Sequence, residues 1–437
     1  MPTRREFLGS VGLGSVGLAA AAGLATSAEL STATAAGIAQ ELRATPGTPQ
    51  ELATDEDYWR RAQTAFTVDR SLINFNNGGV SPAPAFVQEA MKRHLDFSNQ
   101  CPPYNMWRVL EPQREAVRQR LARAWGVDTE EIAFTRNASE SLQIAQLGFD
   151  LNPGDEVLCT NQAYPRMVTT FNQRARREGI VLRQFSIPVP AEDDAAIVRL
   201  FEQNITDKTR LILVSHVINL TGQILPVKQI IAMARTRGIP VIVDGAHAFA
   251  NMPFTLAELG VDYYGTSLHK WLFAPHGTGL LYVKRDKIKS LWPMMAADDG
   301  LDDNIRKFEQ IGTHPAAGYL AIGEALTFHE GLGPARKFAR LIHLRDSWIE
   351  QCADIPTLTL HTSQKPGAAC GIANVQLEGI DSADLNNWLW RTRRILCTVI
   401  KHAEFEGVRV SPSVYTTPEE IGRFADAMHK AATDGIG

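Results

Sequence analysis

Residues 243–282 read VDGAHAFANMPFTLAELGVDYYGTSLHKWLFAPHGTGLLY. The segment opens at the end of an apolar run, Val241-Ile-Val-Asp244, contains another, Tyr263 to Ser267, and closes within a third, Gly279 to Val283, each with the length and side chains of a buried strand. Asp244 and His247 fall just past the first run, and Lys270 follows Asp244 by 26 positions, beside Trp271 in mostly apolar company. A lysine in such company is costly unless its charge is lost or used, and a desolvated lysine amine is the nucleophile that forms a Schiff base with a carbonyl. Taken singly, Asp244 could cap a turn, His247 could be a hydrogen-bonded core histidine and Lys270 could be solvated. Together, at strand ends, they point to a site.

The alternation continues outward from this segment. Leu72 to Phe75, Ile132 to Thr135, Glu156 to Thr160 and Leu211 to His216 read as further strands. Pro84 to Ser98, Pro112 to Ala124, Met167 to Glu178 and Lys228 to Thr236 read as amphipathic helices, the first two opening on a proline whose missing N–H costs nothing in a first turn. Strand and helix in turn predict an α/β fold, a mainly parallel sheet flanked by helices, with ligands at the carboxyl ends of the strands. After Pro315 the texture changes. A long helical region from Ala316 to Cys352 precedes strands near Leu358 to His361, Gly371 to Leu377, Leu396 to Ile400 and Val408 to Val410, with helices near Ala383 to Arg393 and Pro418 to Ala432. The expected organisation is a large domain over 71–315, then a linking helix and a small α+β domain over 316–437.

The whole chain has 437 residues, 44% hydrophobic and 21% charged, which excludes a disordered polymer, a collagen-like repeat and a multi-span membrane protein. A formal charge of -4 gives no reason to expect nucleic acid as a partner. The five cysteines, 101, 159, 352, 370 and 397, include no C-x-x-C pair, which argues against a zinc ribbon or a disulfide framework. At the front, Thr3-Arg4-Arg5-Glu6-Phe7-Leu8 precedes a Gly/Ala/Val/Leu stretch to about Ala25, the layout of a twin-arginine export signal. That stretch is short and glycine-diluted for a membrane span of roughly 20 residues. The expectation is a signal over 1–36, a leader and arm over 37–70 that is flexible to about Thr54, recognition by the twin-arginine export machinery, and a periplasmic or secreted bacterial location.

With Asp244-x-x-His247 followed by Ser267-x-His269-Lys270, the chain resembles the class V aminotransferases, fold-type-I pyridoxal-phosphate enzymes that include cysteine desulfurases and the isopenicillin N epimerase group. The resemblance runs from Asn74-Phe-Asn-Asn-Gly-Gly79 to the last helix. It implies that Lys270 holds pyridoxal 5′-phosphate and shuttles the substrate α-proton, and that Asp244 pairs with the pyridine nitrogen. It places His247 near the phenolic oxygen, Ser267 and His269 beside the phosphate, and Asn219 at the ring oxygen or substrate. Thr313 looks like the residue that reaches the phosphate of a second subunit, which implies a homodimer. Tyr164 is the candidate for stacking on the ring, with Gln162 as the alternative. The residues themselves offer a phosphate cup: a strand ends at Thr135 and Asn137-Ala138-Ser139-Glu140 opens a helix whose N–H groups and Ser139 hydroxyl can face an anion. Asn137 with Glu140 three residues on is also a capping pattern, and both readings can hold.

Within the family pattern Arg409 matches the arginine that grips an α-carboxylate, for which a planar guanidinium is suited, and the Asn76-Asn77-Gly78-Gly79 turn closes near the same pocket. Cys397 lies only 12 positions before Arg409, inside an apolar run, and reads as a strand residue rather than a desulfurase nucleophile. The Val408-to-Tyr415 ending looks closest to the isopenicillin N epimerase group. The expected activity is on the α-carbon of an amino acid or small peptide, as an epimerase or aminotransferase, with a lyase as the alternative and an exported, non-catalytic binding protein as the alternative of another class. An epimerase needs a second acid/base facing Lys270 across the substrate, for which Tyr104, Tyr164, His276 and His314 are candidates.

Overall fold

The computed structural model describes residues 37–437, so the export signal expected over 1–36 lies outside the described residues. In chain order the strands are β1 (Ile73–Asn74), β2 (Ile132–Thr135), β3 (Glu156–Thr160), β4 (Val181–Phe185), β5 (Thr209–Ser215), β6 (Val241–Asp244), β7 (Tyr263–Ser267) and β8 (Gly279–Val283). They are followed by β9 (Leu358–Leu360), β10 (Ala373–Leu377), β11 (Ile395–Leu396), β12 (Thr398–Lys401) and β13 (Glu406–Val410). One seven-stranded sheet runs in the order β2-β8-β7-β6-β5-β3-β4. Its pairings from β7 through β4 are parallel, and β8 is antiparallel to both its neighbours. The mainly parallel sheet expected from the alternation is present.

Burial on both faces explains why these strands read as continuous apolar runs. Val241 and Val243 point into one core with Phe134, Val214 and Tyr264, while Ile242 points into the opposite core with Val157, Leu213 and Leu281. A four-stranded antiparallel sheet, β12-β13-β10-β9, packs its own cluster around Trp348 and Phe424. The short parallel pairing of β1 with β11, and the bridge from Asn76 to Ser411, tie the early Asn-Asn-Gly-Gly turn to the end of β13.

Several expectations need correction. The supposed flexible leader is folded: residues 37–44, Pro49–Ala53 and Glu56–Gln63 are helical, and Thr48 and Glu51 form a reciprocal capping box. Leu42, Leu52 and Trp59 are buried, and Arg340, in the long helix Pro334–Gln351, donates to the Ala53 carbonyl and to Glu56. A few apolar anchors outweigh the Ala/Thr/Pro-rich composition between them. The long helical region from Ala316 is three helices, Ala317–Leu320, Ile322–Leu332 and Pro334–Gln351, the last break falling where Gly333 takes φ 80 before Pro334. Pro112 does not begin its helix. It sits near the start of Glu111–Trp125, directly after a π-helical stretch, Asn105–Leu110, whose wider turn precedes a residue that cannot complete the backbone ladder. Cys397 is the one residue between β11 and β12, at the point where the chain exchanges pairing with β1 for pairing with β13. The strand β4 went unread because it is an edge strand with a polar, part-exposed sequence, VLRQF.

Gly222 tests how tightly the two sheets fit. At φ 78, a Cβ there would stand 2.1 Å from the Ile372 carbonyl oxygen, whereas Gly238, at φ 69, has open space around it. Gly238→Ala should cost about 1–2 kcal/mol for the left-handed backbone alone, and Gly222→Ala about 2 kcal/mol more for overpacking. Urea unfolding midpoints of the two variants measure the difference.

Candidate active site

The carboxyl ends of β2, β5, β6 and β7 open toward one cavity of about 190 Å³. Larger clefts near Trp125 and Pro334, near Arg235 and Lys287, and near Trp388 and Gly437 contain none of the site residues singled out from the sequence, and another, near Val68 and Tyr415, takes in only His276. The smaller cavity contains Asp244, His247, Ser267, His269 and Lys270, together with Asn137, Ala138 and Ser139. Tyr164 and Asn219 complete its wall.

Asp244 ends β6 and is buried, with one carboxylate oxygen accepting the Ala246 N–H at 3.0 Å. Burial raises its pKa, and the nearby Lys270 charge acts the other way. No lysine or arginine forms an ion pair with it among the described residues. The Lys270 Nζ lies 3.2 Å from His247 Nε2. Protein surrounds this amine on every side except toward the cavity, and burial pulls its pKa down to about 8, Asp244 opposing and Arg409 adding to the fall. His247 is held neutral, mainly by burial and further by the Lys270 and Arg409 charges, and its Nδ1 is buried without a partner. Gly245 is dictated by packing, since a Cβ there would fall 2.0 Å from the Tyr264 ring.

The helix start expected to form the cup is present, with one difference in its cap. Asn137 caps Ala138–Gly148 by accepting the Glu140 N–H at 2.9 Å, but the Glu140 carboxylate turns to Arg136 instead of completing a capping box. Ser267 Oγ accepts the Ala138 N–H at 2.9 Å, and the Ser139 hydroxyl has no partner among the described residues. His269 donates from Nδ1 to the Thr278 carbonyl at 3.1 Å, and burial, reinforced by Lys270, lowers its pKa to about 4. A phosphate dianion at the cup would draw a proton back onto its other nitrogen.

Of the two ring-stacking candidates, Tyr164 lines the cavity while Gln162 is buried and donates to the Ile187 carbonyl at 3.2 Å. Arg409, on β13, is buried. It donates to the Asn219 carbonyl at 3.0 Å and to Asn76 Oδ1 at 2.8 Å, with Nε unpartnered and no carboxylate bound among the described residues. Burial lowers its pKa to about 10. Asn77 departs from its expected substrate role. Its amide is spent inside the fold, donating to the Asn74 and Ser411 carbonyls and accepting from the Tyr415 hydroxyl at 2.6 Å. Gly78 gives its N–H to Ser411 Oγ at 3.0 Å and packs toward His247, and Gly79 is the member of that turn that lines the cavity. The residue missed was Asn76: the run Asn76-Asn77 was visible, but which amide meets Arg409 is fixed by the Asn76–Ser411 bridge. Thr313 is exposed and lies outside this cavity.

These groups suit pyridoxal 5′-phosphate. Asp244 offers a buried carboxylate for the pyridine nitrogen, Ser139 at the helix start offers free donors for phosphate, His247 meets the lysine through Nε2 with its Nδ1 unpartnered, and Lys270 is an amine poised to lose its proton. Comparison with known proteins agrees. The family profile for aminotransferase class-V matches residues 73–424. The isopenicillin N epimerase of Streptomyces clavuligerus is 32% identical over 395 residues, covering 85% of this chain and 97% of that protein. The hercynylcysteine sulfoxide lyase of Schizosaccharomyces pombe is 24% identical over 383 residues, covering 83% of this chain and 95% of that protein. Among solved structures, the cysteine desulfurase CsdA of Escherichia coli superposes with a TM-score of 0.75 at 20% identity, covering 89% of this chain and 99% of that one.

Two outcomes follow for the purified chain. With pyridoxal phosphate it should develop a visible band near roughly 410–430 nm that Lys270→Ala abolishes. The rate at which the apoprotein acquires the band should rise with pH through about 8, where Lys270 loses its proton; stopped-flow absorbance across that range checks it.

Proposed function

The chain belongs to the class V aminotransferase family, fold-type-I enzymes whose cofactor is pyridoxal 5′-phosphate, and from that premise we propose that it exchanges a proton at the α-carbon of an amino acid or small peptide, with an epimerase-like outcome. The observation that carries the proposal is Arg409, a buried guanidinium with no carboxylate partner among the described residues, held by the carbonyl of Asn219, which lines the cavity, and close enough for its charge to act on Lys270. A buried cation left unpaired calls for an anion, and a planar substrate carboxylate fits its remaining N–H groups.

When bound, the cofactor draws electrons from the substrate α-carbon and so makes its proton acidic. Asp244 would hold a proton on the ring nitrogen, which maintains that pull. The Ser139 N–H and hydroxyl at the start of Ala138–Gly148, with Ser267 and His269, would hold the phosphate. Lys270 would exchange the α-proton on its own side of the substrate, and His247, neutral and 3.2 Å away, orients the amine without competing for charge. Asn76 and the Asn219 carbonyl fix the Arg409 plane, so the substrate enters with its carboxylate already oriented.

Epimerisation needs a second proton carrier on the opposite side. Of the four candidates, Tyr164 lines the cavity, which favours it for this role. His276 faces the Ser81 carbonyl, His314 is engaged by Arg114, and Tyr104 is exposed. The similarity to isopenicillin N epimerase over nearly its full length supports the same outcome. Aminotransfer is the second reading, because Lys270 alone can move a proton between two carbons on one side. A desulfurase has less support: no cysteine lines the cavity, and burial pushes the Cys397 thiol above its usual range. The proposal includes a homodimer in which Thr313 approaches the neighbouring subunit's phosphate cup, and export of the folded, loaded enzyme by the twin-arginine route.

In deuterated water the epimerase reading expects racemised amino acid carrying deuterium at the α-carbon. A keto acid would favour aminotransfer, and pyruvate or ammonia release a lyase. Arg409→Ala should lower kcat/KM about 10- to 100-fold for substrates with a free α-carboxylate, the worth of one or two charged hydrogen bonds, and leave the visible band in place. Steady-state kinetics with a substrate and its α-amide check the assignment, since the amide should lose little.

A further inference from the structure

Lys337 lies near the start of Pro334–Gln351, is 0% exposed, and forms no ion pair among the described residues. Lysine is almost never buried in this way. Its Nζ donates to the Trp271 carbonyl and stands 3.9 Å from the centre of the Phe273 ring. Both contacts fall on the turn that begins at Lys270.

The backbone acceptors of this turn have few alternatives. The His269 carbonyl accepts the Ser81 N–H at 3.1 Å and the Lys270 carbonyl accepts the Phe273 N–H at 3.4 Å. No backbone N–H among the described residues reaches the Trp271 carbonyl, and Trp271 itself is fully buried, so without Lys337 that oxygen would be an unsatisfied acceptor. Phe273 adds a second demand. It takes φ 62, a left-handed conformation that a bulky side chain adopts at a cost of about 1–3 kcal/mol, so the turn needs support from outside itself. Its ring is wedged against Phe66 and Phe328, and Lys337 covers it.

We propose that Lys337 is a positioning residue for Lys270: by holding the Trp271 carbonyl and the Phe273 ring, it fixes the turn from which Lys270 projects toward His247. The proposal rests on the reading of Lys270 as the cofactor-bearing amine. Burial also drives the Lys337 amine well below its ordinary pKa, which suits an uncharged donor with one N–H for the carbonyl and another for the ring face. The remaining titratable neighbour, His329, is likewise held neutral by burial. Lys337 thus joins the helix that carries much of the second core to the residue at the centre of the chemistry, without touching cofactor or substrate.

Support of the fold alone would show only in stability, so the test reads the environment of Lys270. Reductive methylation of the apoprotein with formaldehyde and cyanoborohydride, followed by peptide mass analysis, gives the pH midpoint at which Lys270 reacts. Asp244, His247, His269 and Arg409 face that amine and are unchanged in the variants. Wild type should show a midpoint of about 8. In Lys337→Met the midpoint should rise by about one unit or more as the amine leaves its desolvated place, with kcat falling about tenfold and KM changing less than about threefold. Lys337→Gln keeps an N–H donor on a shorter stem and serves where the methionine variant does not fold; its midpoint should move the same way by about half as much. A folded variant of either kind with a wild-type midpoint and wild-type kcat overturns the proposal. A wild-type chain whose Lys270 reacts like an ordinary surface lysine, or that forms no visible band with pyridoxal phosphate, overturns instead the reading of Lys270 on which it rests.

Discussion

The organising constraint is charge balance among ionisable groups buried around one cavity. Lys270 feels both a second cation, Arg409, and one carboxylate, Asp244, and none of the three forms a direct ion pair among the described residues. Each is shifted toward its neutral form, Lys270 to about 8 and Arg409 to about 10. Charges in such a place are tolerated where a ligand completes them, and the missing partners are anionic. A phosphate at the helix start and a carboxylate at Arg409 would satisfy the cations, while a protonated ring nitrogen would satisfy Asp244.

The topology serves that balance. Parallel strands deliver Asp244, Ser215 and Ser267 to one edge, and the antiparallel strand β8 fills the gap between β7 and β2, so that the cup at Asn137 lies beside the end of β7. The arginine comes from another sheet altogether. The β1–β11 pairing and the Asn76–Ser411 bridge hold that sheet in register with the cavity, and Gly222 lets the Asn219 turn approach within contact of Ile372. Asn77, fully consumed by backbone and Tyr415, is the knot of this junction.

The large sheet was legible because strands buried on both faces announce themselves as apolar runs; Val241–Asp244, Tyr263–Ser267 and Gly279–Val283 match the observed bounds. The cavity residues at strand ends were legible for the same reason, since the end of a strand locates its next few side chains. What stayed hidden depends on partners distant in sequence. The edge strand β4 has no apolar signature, the folded arm before Ser71 gains its order from Arg340 and a shared core, and the choice between Asn76 and Asn77 is made by a bridge to Ser411. Lys337 is the sharpest case. A lysine in the first turn of a long helix reads as solvated, and only the fold brings it under Trp271.

The central claim is that this cavity holds pyridoxal 5′-phosphate through the amine of Lys270. Borohydride reduction of the loaded protein, followed by digestion and mass mapping, tests it most directly. The account predicts one phosphopyridoxyl group per chain, carried by the peptide containing Lys270. A label on any other lysine, or no stoichiometric label after incubation with the cofactor, would contradict it.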